Sequence, residues 1–179
     1  MGGSTFPLVT VIMPIRNEVD FIERSLGAIL TQDYPHSRME ILISDGMSTD
    51  STRAVIQDLA TKHSDVSLKI IDNPGRIVPT GFNLALKQRK GEIVVRVDGH
   101  TIIASDYVSE CVSALERTGA DNAGGRMNAL SQTTFGKAVA LATSTPFGVG
   151  GARFHYSEDE EWVDTVYLGA WRSKVFNEI

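Results

Sequence analysis

Two side chains with ligand chemistry follow a β-branched run near the middle of the chain. Residues 91–97 read GEIVVRV, and Asp98, Gly99 and His100 come directly afterwards. In an extended chain, residues two apart point to the same side, and Gly99 would let a ligand approach the backbone closely. A carboxylate oxygen suits Mg²⁺ or Mn²⁺, and the imidazole favours Mn²⁺. The spacing therefore predicts part of a divalent-metal site, completed by phosphate oxygens or water.

The same residues also have an explanation that needs no ligand. Asp98 could cap the turn after the strand, and His100 could lie on the surface. A carboxylate at the end of a buried strand costs free energy unless a cation meets it. The two explanations therefore differ in the group that faces Asp98.

Two further positions could contact a nucleotide. Asp45 follows EILIS and could accept a hydrogen bond from the N–H of a pyrimidine base, or it could form an Asx turn or cap the next helix. Arg76 closes the turn sequence NPGR, and its guanidinium suits the oxygens of a diphosphate. An arginine that is simply solvated after a turn would have the same sequence.

The stretch MPIRNE at residues 13–18 supplies a third group of polar residues. Pro14, Arg16 and Glu18 could line a pocket for a base or a ribose. The alternative is a plain turn in which Asn17 caps a helix.

The segments that must position these residues alternate between two patterns. β-branched runs predict strands at 7–14, 39–44, 67–71 and 91–97, and apolar residues at helical spacing predict helices at 17–32, 51–63, 80–90 and 105–119. Beyond residue 120 the pattern predicts a strand at 122–130, a helix at 133–145, a mobile loop at 146–162 and a strand at 163–171.

Strands and helices in alternation predict an α/β fold, in which a mostly parallel sheet carries helices on its faces. Ligands of such sheets bind beyond the carboxyl ends of the strands. All the polar groups named above follow a predicted strand, so four strand ends could build one site. We expect residues 1–179 to form a single domain.

Composition narrows the function further. The 179 residues are 42% hydrophobic and carry a net charge of −5, which argues against nucleic acid as the main partner.

The single Cys111 lies among apolar residues at helical spacing and is interpreted as a core residue. No run is long and apolar enough to predict a membrane-spanning helix, and the opening MGGST is interpreted as a disordered start. P-loop, G-x-G-x-x-G and G-x-S-x-G motifs are absent from the sequence, which argues against P-loop NTPases, dinucleotide-binding dehydrogenases and α/β-hydrolases.

Taken in order, VTVIMPIRNE, ILISDGMSTDST, NPGRIVPTGFNLAL, GEIVVRVDGHT and VDTVYLGAWRSKVFNEI resemble glycosyltransferase family 2. RVDGHT is most similar to the bacterial exopolysaccharide branch, with its succinoglycan-type glucosyltransferases. The resemblance implies a GT-A fold, a Rossmann-like sheet that binds a nucleotide-diphosphate sugar, UDP-linked by expectation, and a divalent cation, Mn²⁺ or Mg²⁺. The acceptor would be a glycan or a lipid-linked sugar in surface polysaccharide synthesis.

The resemblance also implies roles for individual residues. Pro14, Arg16 and Glu18 would border the nucleoside, Asp45 would contact the base, and Arg76 would lie near the nucleotide. Asp98 matches the first acid of the family's D-x-D pattern and would touch ribose and metal. His100 takes the place of the second acid, which puts the strength and identity of metal binding in question. Gly169 and Trp171 would lie near the donor sugar or the acceptor.

The family inverts the anomeric carbon, so a carboxylate should deprotonate the acceptor. That acid follows a GGFDE-like stretch, which we expect beyond Ile179, together with the acceptor-binding half and a membrane-associated tail. If the base lies within these residues instead, Asp159, Glu160 and Asp164 are the candidates. The resemblance implies a cytoplasmic protein, at the inner face of the membrane when full-length. A non-catalytic nucleotide-sugar-binding module and a nucleotidyltransferase are the alternatives.

Overall fold

The computed structural model describes residues 6–131 and 133–178, so the opening MGGST and Ile179 lie outside the described residues. Six strands are present: β1 Val9–Ile15, β2 Met39–Asp45, β3 Ser67–Asp72, β4 Ile93–Arg96, β5 Asn122–Gly125 and β6 Tyr167–Arg172. The α-helices are α1 Ile22–Leu30, α2 Thr52–Lys62, α3 Val78–Leu86, α4 Tyr107–Thr118, α5 Thr134–Thr143 and α6 Pro146–Val149. Single 3₁₀ turns occur at His36–Arg38, Arg153–His155 and Ser173–Asn177.

The strands form one sheet in the order β3-β2-β1-β4-β6-β5. Strands β1 to β4 are parallel, with β1 pairing along its whole length with β2 and along its first half with β4. Strand β6 runs antiparallel to both of its neighbours, β4 and the edge strand β5. The predicted α/β fold with a mostly parallel sheet is confirmed, and the carboxyl ends of β1 to β4 meet at one edge.

Helices cover both faces of this sheet. On one face α1, α2 and α4 pack against alternate residues of the central strands, including Val11, Ile41 and Val95. On the other face α3 packs against Ile12 and Val94. Since strand residues alternate between the two faces, both sides of β1 and β2 are buried, which explains their nearly continuous apolar sequences.

The single cysteine belongs to the larger core, as predicted. Cys111 of α4 is 5% exposed, and burial raises the pKa of its thiol to about 12. The thiol therefore stays protonated at neutral pH and acts as a small apolar group. Among the described residues no helix reaches the length and apolarity required to cross a bilayer.

Several predicted elements have other bounds in the structure: the strand predicted at 122–130 is Asn122–Gly125, and the helix predicted at 80–90 is Val78–Leu86. The first helix begins at Ile22 rather than Asn17, because Asn17 has a left-handed backbone with φ of 53° and its side chain accepts a hydrogen bond from Thr49 N. Tertiary bonds to the loop after β2 thus override the local helix pattern. Residues 146–162, predicted as a loop, contain the short helix α6 and a 3₁₀ turn.

Replacing two glycines, one inside α1 and one at the end of α4, with alanine should change the free energy of unfolding in opposite directions. Gly27 lies inside α1, where an added Cβ meets no atom within 4 Å, so Gly27→Ala should raise the free energy of unfolding by about 0.5–1 kcal/mol. Gly119 ends α4 with φ of 72°, so Gly119→Ala should lower it by about 1 kcal/mol. Urea unfolding of both variants tests this, and a shift of the same sign for both would contradict it.

Candidate functional site

A cleft lies at the carboxyl edge of the sheet, on the side of α3. Its lining comes from the segments after three parallel strands: residues 14–18 after β1, residues 73–78 after β3, and residues 96–100 at the end of β4. Five of the six residues predicted to bind a nucleotide line it, namely Pro14, Arg16, Glu18, Arg76 and Asp98, and so does the predicted metal ligand His100. The rule that ligands of parallel sheets bind beyond the strand ends therefore points to a region where the structure does contain a cleft.

The cleft is smaller than a whole nucleotide-sugar site. Its volume is about 180 Å³, below the roughly 300–1,000 Å³ typical of drug-sized ligands. A ligand of that size would place only one part in the cleft and lay the rest along the open edge of the sheet.

Asp98 points into the cleft but is already paired. Arg96 Nε donates to Asp98 Oδ1 over 2.9 Å, and Arg96 Nη2 donates to Oδ2 over 3.3 Å. The turn after the strand is closed by the backbone instead, through Thr101 N–H donating to the Asp98 carbonyl at 3.0 Å. A pair with a neighbouring arginine is the arrangement that counts against the metal role expected for Asp98. The spacing of two residues along an extended strand could have pointed to Arg96 as that partner.

His100 lies at the mouth of the cleft and is coupled to Glu18. Its side chain is 60% exposed, and Nδ1 lies 3.2 Å from Glu18 Oε1. This contact leaves Nε2 as the nitrogen that could meet a cation, in the carboxylate–histidine arrangement common around metals. A Cβ at Gly99 would approach Glu18 Cγ to 2.9 Å, so glycine is required for this close packing.

Asp45 has a different position from the one predicted. It is fully buried, its carboxylate accepts hydrogen bonds from Ser48 N–H and Ser48 Oγ, and Arg53 Nε donates to it at 2.5 Å. Asp45 is not among the residues that line the cleft. The local alternative that the sequence left open is present in a related form, since the Asp45 carboxylate accepts the N–H of Ser48 three residues on. These contacts show that Asp45 supports the loop after β2, and its contact with the base stays a prediction.

Left-handed backbone recurs after the parallel strands. Asn17, Met47 and Arg76 follow β1, β2 and β3 with φ of 53°, 59° and 60°. The loops after β1 and β2 are also joined directly, since Asn17 N–H donates to Ser48 Oγ and Val19 N–H to Asp50 Oδ2. These contacts fix the shape of the cleft's rim.

Gly169 and Trp171 do not line the cleft among the described residues. The Trp171 ring packs edge-on against Phe82 of α3 and Phe176, and its place near the donor sugar or the acceptor stays a prediction. Gly169 has φ of 97°, and a Cβ there would lie 2.6 Å from the Trp171 ring. Sequence reasoning missed Tyr167, whose hydroxyl lies 3.0 Å from Thr101 Oγ1 and connects β6 to the DGHT turn.

The alternative base candidates lie elsewhere on the surface. Glu160 forms a two-bond ion pair with Arg117 of α4, with a shortest distance of 2.6 Å. Asp159 and Asp164 are exposed, and neither lines the cleft. A base beyond Ile179 lies outside the described residues and stays a prediction.

The charges of the cleft suit a phosphate-bearing ligand. Arg16 and Arg76 are exposed and make no salt bridge within residues 6–131 and 133–178. Two arginines without a carboxylate partner can bind phosphate oxygens through charge-assisted, two-pronged hydrogen bonds. Asp98, Glu18 and His100 provide oxygen and nitrogen ligands in the lining of the same cleft.

The sequence model of glycosyl transferase family 2 matches residues 10–177, nearly the whole chain. The chain belongs to glycosyltransferase family 2. Similar curated proteins include a dolichyl N-acetyl-α-D-glucosaminyl phosphate 3-β-D-2,3-diacetamido-2,3-dideoxy-β-D-glucuronosyltransferase from Methanococcus voltae, which is 30% identical over 95% of this chain and 54% of its own length. The succinoglycan biosynthesis protein ExoA of Rhizobium meliloti is 28% identical over 94% of this chain and 51% of its own.

Solved glycosyltransferases share the fold. The mannosyltransferase PcManGT from Pyrobaculum calidifontis, in complex with GDP-Man and Mn²⁺, superposes with a TM-score of 0.72 at 24% identity, over 98% of this chain and 47% of its own. Residues 1–349 of TarS from S. aureus, in complex with UDP, give a TM-score of 0.70 at 21% identity, over 96% of this chain and 48% of that TarS fragment. The predicted GT-A fold is confirmed, and the chain spans about half the length of the proteins it matches.

The cleft of this glycosyltransferase family 2 chain offers an incomplete ligand set for a metal. Among the described residues no cluster of three or more His, Cys, Asp or Glu side chains could hold an ion. Asp98 and His100 nevertheless fit a hard cation that takes its remaining ligands from phosphate oxygens and water. The donor set therefore suits a metal that enters together with a nucleotide.

Proposed function

We propose that this chain is the donor-binding part of an inverting glycosyltransferase that uses a nucleotide-diphosphate sugar and a divalent cation. The observation that carries the proposal is the composition of the cleft at the carboxyl edge of the sheet. Its lining combines a carboxylate and an imidazole with two arginines that form no salt bridge in the part of the chain that the structure describes. Membership of glycosyltransferase family 2 supports the same conclusion.

We assign different parts of the donor to the different strand ends that line the cleft. The segment after β1, with Pro14 and Arg16, would border the nucleoside, and Glu18 would hold His100 in place. Arg76 would bind the diphosphate, because its left-handed backbone lies at the turn before α3, next to Ile77 and Val78 in the cleft wall. Asp45 would act indirectly, by holding the loop after β2.

Asp98 and His100 would hold the cation, Mn²⁺ or Mg²⁺, against the diphosphate. When bound, the metal acts as a Lewis acid that stabilises negative charge on the leaving diphosphate. Arg76 would add a fixed positive charge to the same oxygens. The acceptor hydroxyl would attack the anomeric carbon from the side opposite the diphosphate, and its proton would pass to a carboxylate that we place beyond Ile179.

The whole-protein activity belongs to the proposal as well. We infer that the whole protein transfers a sugar to a glycan or lipid-linked acceptor in surface polysaccharide synthesis, on the cytoplasmic side of the membrane. The curated relatives support this assignment, since ExoA is named for succinoglycan biosynthesis and the Methanococcus voltae protein for transfer to a dolichyl-linked sugar. The nucleobase is proposed to be uracil, and solved relatives hold either UDP or GDP-mannose.

Calorimetric titration with UDP, GDP, CDP and dTDP, each with Mn²⁺, Mg²⁺ or EDTA, tests the donor site. We expect UDP with Mn²⁺ to bind most tightly, and Arg76→Gln to weaken UDP binding by about tenfold through the loss of a charge-assisted hydrogen bond. Arg38→Gln is the matched control, because Arg38 is exposed just before β2, at the opposite edge of the sheet. The absence of binding by any nucleotide, or an equal loss in both variants, would contradict the proposal.

Metal-dependent hydrolysis of a UDP-sugar separates the enzyme from the non-catalytic alternative. A domain that binds the donor in a reactive geometry should release UDP slowly when water replaces the acceptor. A pure binding module would leave the sugar nucleotide intact under the same conditions.

A further inference from the structure

The Arg96–Asp98 pair lies within the cleft, on residues that both line it. Arg96 and Asp98 lie two apart at the end of β4, on the α3 side of the sheet that also carries Val94. The guanidinium engages both carboxylate oxygens, at 2.9 Å and 3.3 Å. The side chains keep 36% and 23% of their surface exposed, so the pair is held by its geometry yet remains open to the cleft.

This pair conflicts with a metal at the same carboxylate. A divalent cation on Asp98 would stand beside the Arg96 guanidinium, and two positive charges at such a distance repel each other. The guanidinium already engages both Asp98 oxygens, so a cation on either of them would have to share it with Arg96. Asp98 can therefore serve one of them fully at a time.

The conflict disappears when an anion enters the cleft. A diphosphate presents oxygens that match the arginine fork as well as a carboxylate does. Arg96 lines the same cleft as Arg16 and Arg76, so it can turn to such an anion without leaving the site. Each move favours the other, because the cation takes the place that Arg96 leaves.

We propose that Arg96 is a switch residue that holds Asp98 in the free protein and transfers to the phosphate oxygens when the donor binds. The inference rests on the proposed donor site and adds an order to it: the nucleotide and the cation bind cooperatively, and the cation alone binds weakly. By linkage, the factor by which Mn²⁺ tightens UDP binding equals the factor by which UDP tightens Mn²⁺ binding. Arg96 positions the metal ligand and senses the anion.

Binding of Mn²⁺ alone and of UDP, measured on the Arg96→Gln variant, tests the switch. Electron paramagnetic resonance of free Mn²⁺ gives the metal affinity without nucleotide, and calorimetry gives UDP affinity with and without Mn²⁺. We expect Arg96→Gln to bind Mn²⁺ alone about fivefold more tightly, because Asp98 is released from its ion pair. The factor by which Mn²⁺ tightens UDP binding should fall about tenfold, because the fork that bound phosphate is gone.

Two variants serve as controls. Arg126→Gln removes an arginine that pairs with Glu158 at 2.8 Å outside the cleft, and it should leave both measurements unchanged. The double variant Arg96→Gln/Asp98→Asn should lose the gain in Mn²⁺ binding, which shows that the released ligand is Asp98.

Unchanged or weaker Mn²⁺ binding by Arg96→Gln would overturn the switch, and so would a gain that persists in the double variant. A wild-type protein that binds no nucleotide under any condition would overturn the donor site and the nucleotide half of the switch. The affinity for Mn²⁺ without nucleotide, compared between the wild type and Arg96→Gln, tests the competition for Asp98 whatever the nucleotide result.

Discussion

Replacing Asp98 with alanine should abolish the effect of Mn²⁺ on UDP binding. In the wild type we expect Mn²⁺ to tighten UDP binding by about 10²-fold, as is typical of a charged partner in a phosphate site, and in Asp98→Ala the ratio should fall close to one. Without metal the same variant should bind UDP at least as tightly as the wild type, since Arg96 loses the carboxylate that occupies it. Calorimetry in Mn²⁺ and in EDTA measures both quantities. In the full-length enzyme, transfer should fall by about 10²–10³-fold.

Asp121→Ala is the control for this experiment, because Asp121 is 60% exposed and pairs with Lys174 on the surface. It should bind UDP as the wild type does, with and without metal. Asp98→Asn retains the shape but not the charge and should behave like the alanine variant. If Asp98→Ala keeps the full effect of Mn²⁺, the metal role of Asp98 is wrong.

Removing the buried carboxylate after β2 should lower the free energy of unfolding strongly. Asp45→Ala leaves the Ser48 amide and the Arg53 guanidinium without their acceptor in a site where Asp45 is fully buried. We expect the free energy of unfolding to fall by about 2–4 kcal/mol, below the full value for a buried pair because the Arg53 side chain is 36% exposed. Urea unfolding followed by circular dichroism measures the change.

Asp72→Ala is a close control, because Asp72 is the other partner of the same Arg53 but is 64% exposed. An exposed pair contributes little, so its loss should change the free energy of unfolding by less than about 1 kcal/mol. Equal losses in the two variants would show that burial of Asp45 contributes nothing beyond the ion pair itself.

The sheet and its helices were predictable because their signals are local. Buried strands such as VTVIMPI and MEILISD show β-branched runs, and α4 shows apolar residues at helical spacing and ends at Gly119. The start of α1 was not predictable, because Asn17 is held by Ser48 and Thr49, more than thirty residues away. No local pattern reports such a contact.

The site was predictable as a region but not in its pairings. Parallel strand ends meet at one edge, so Arg16, Arg76 and Asp98 were placed together correctly. The partners of each charge depend on side-chain directions, and these decided that Asp45 faces Arg53 and that Asp98 faces Arg96. The packing of Trp171 against Phe82 and Phe176 was not predictable, because a tryptophan near a strand end suits a sugar platform and an aromatic cluster equally well.

The left-handed residues after β1, β2 and β3 have a consequence for ligand affinity. Each such conformation at Asn17, Met47 and Arg76 costs about 1 kcal/mol relative to ordinary backbone, and the sheet beneath them must supply that energy during folding. Because the distortion is complete before any ligand arrives, a nucleotide has little loop ordering left to induce. The left-handed residues therefore lower the stability of the fold, and they hold the rim of the cleft in one shape before a ligand binds.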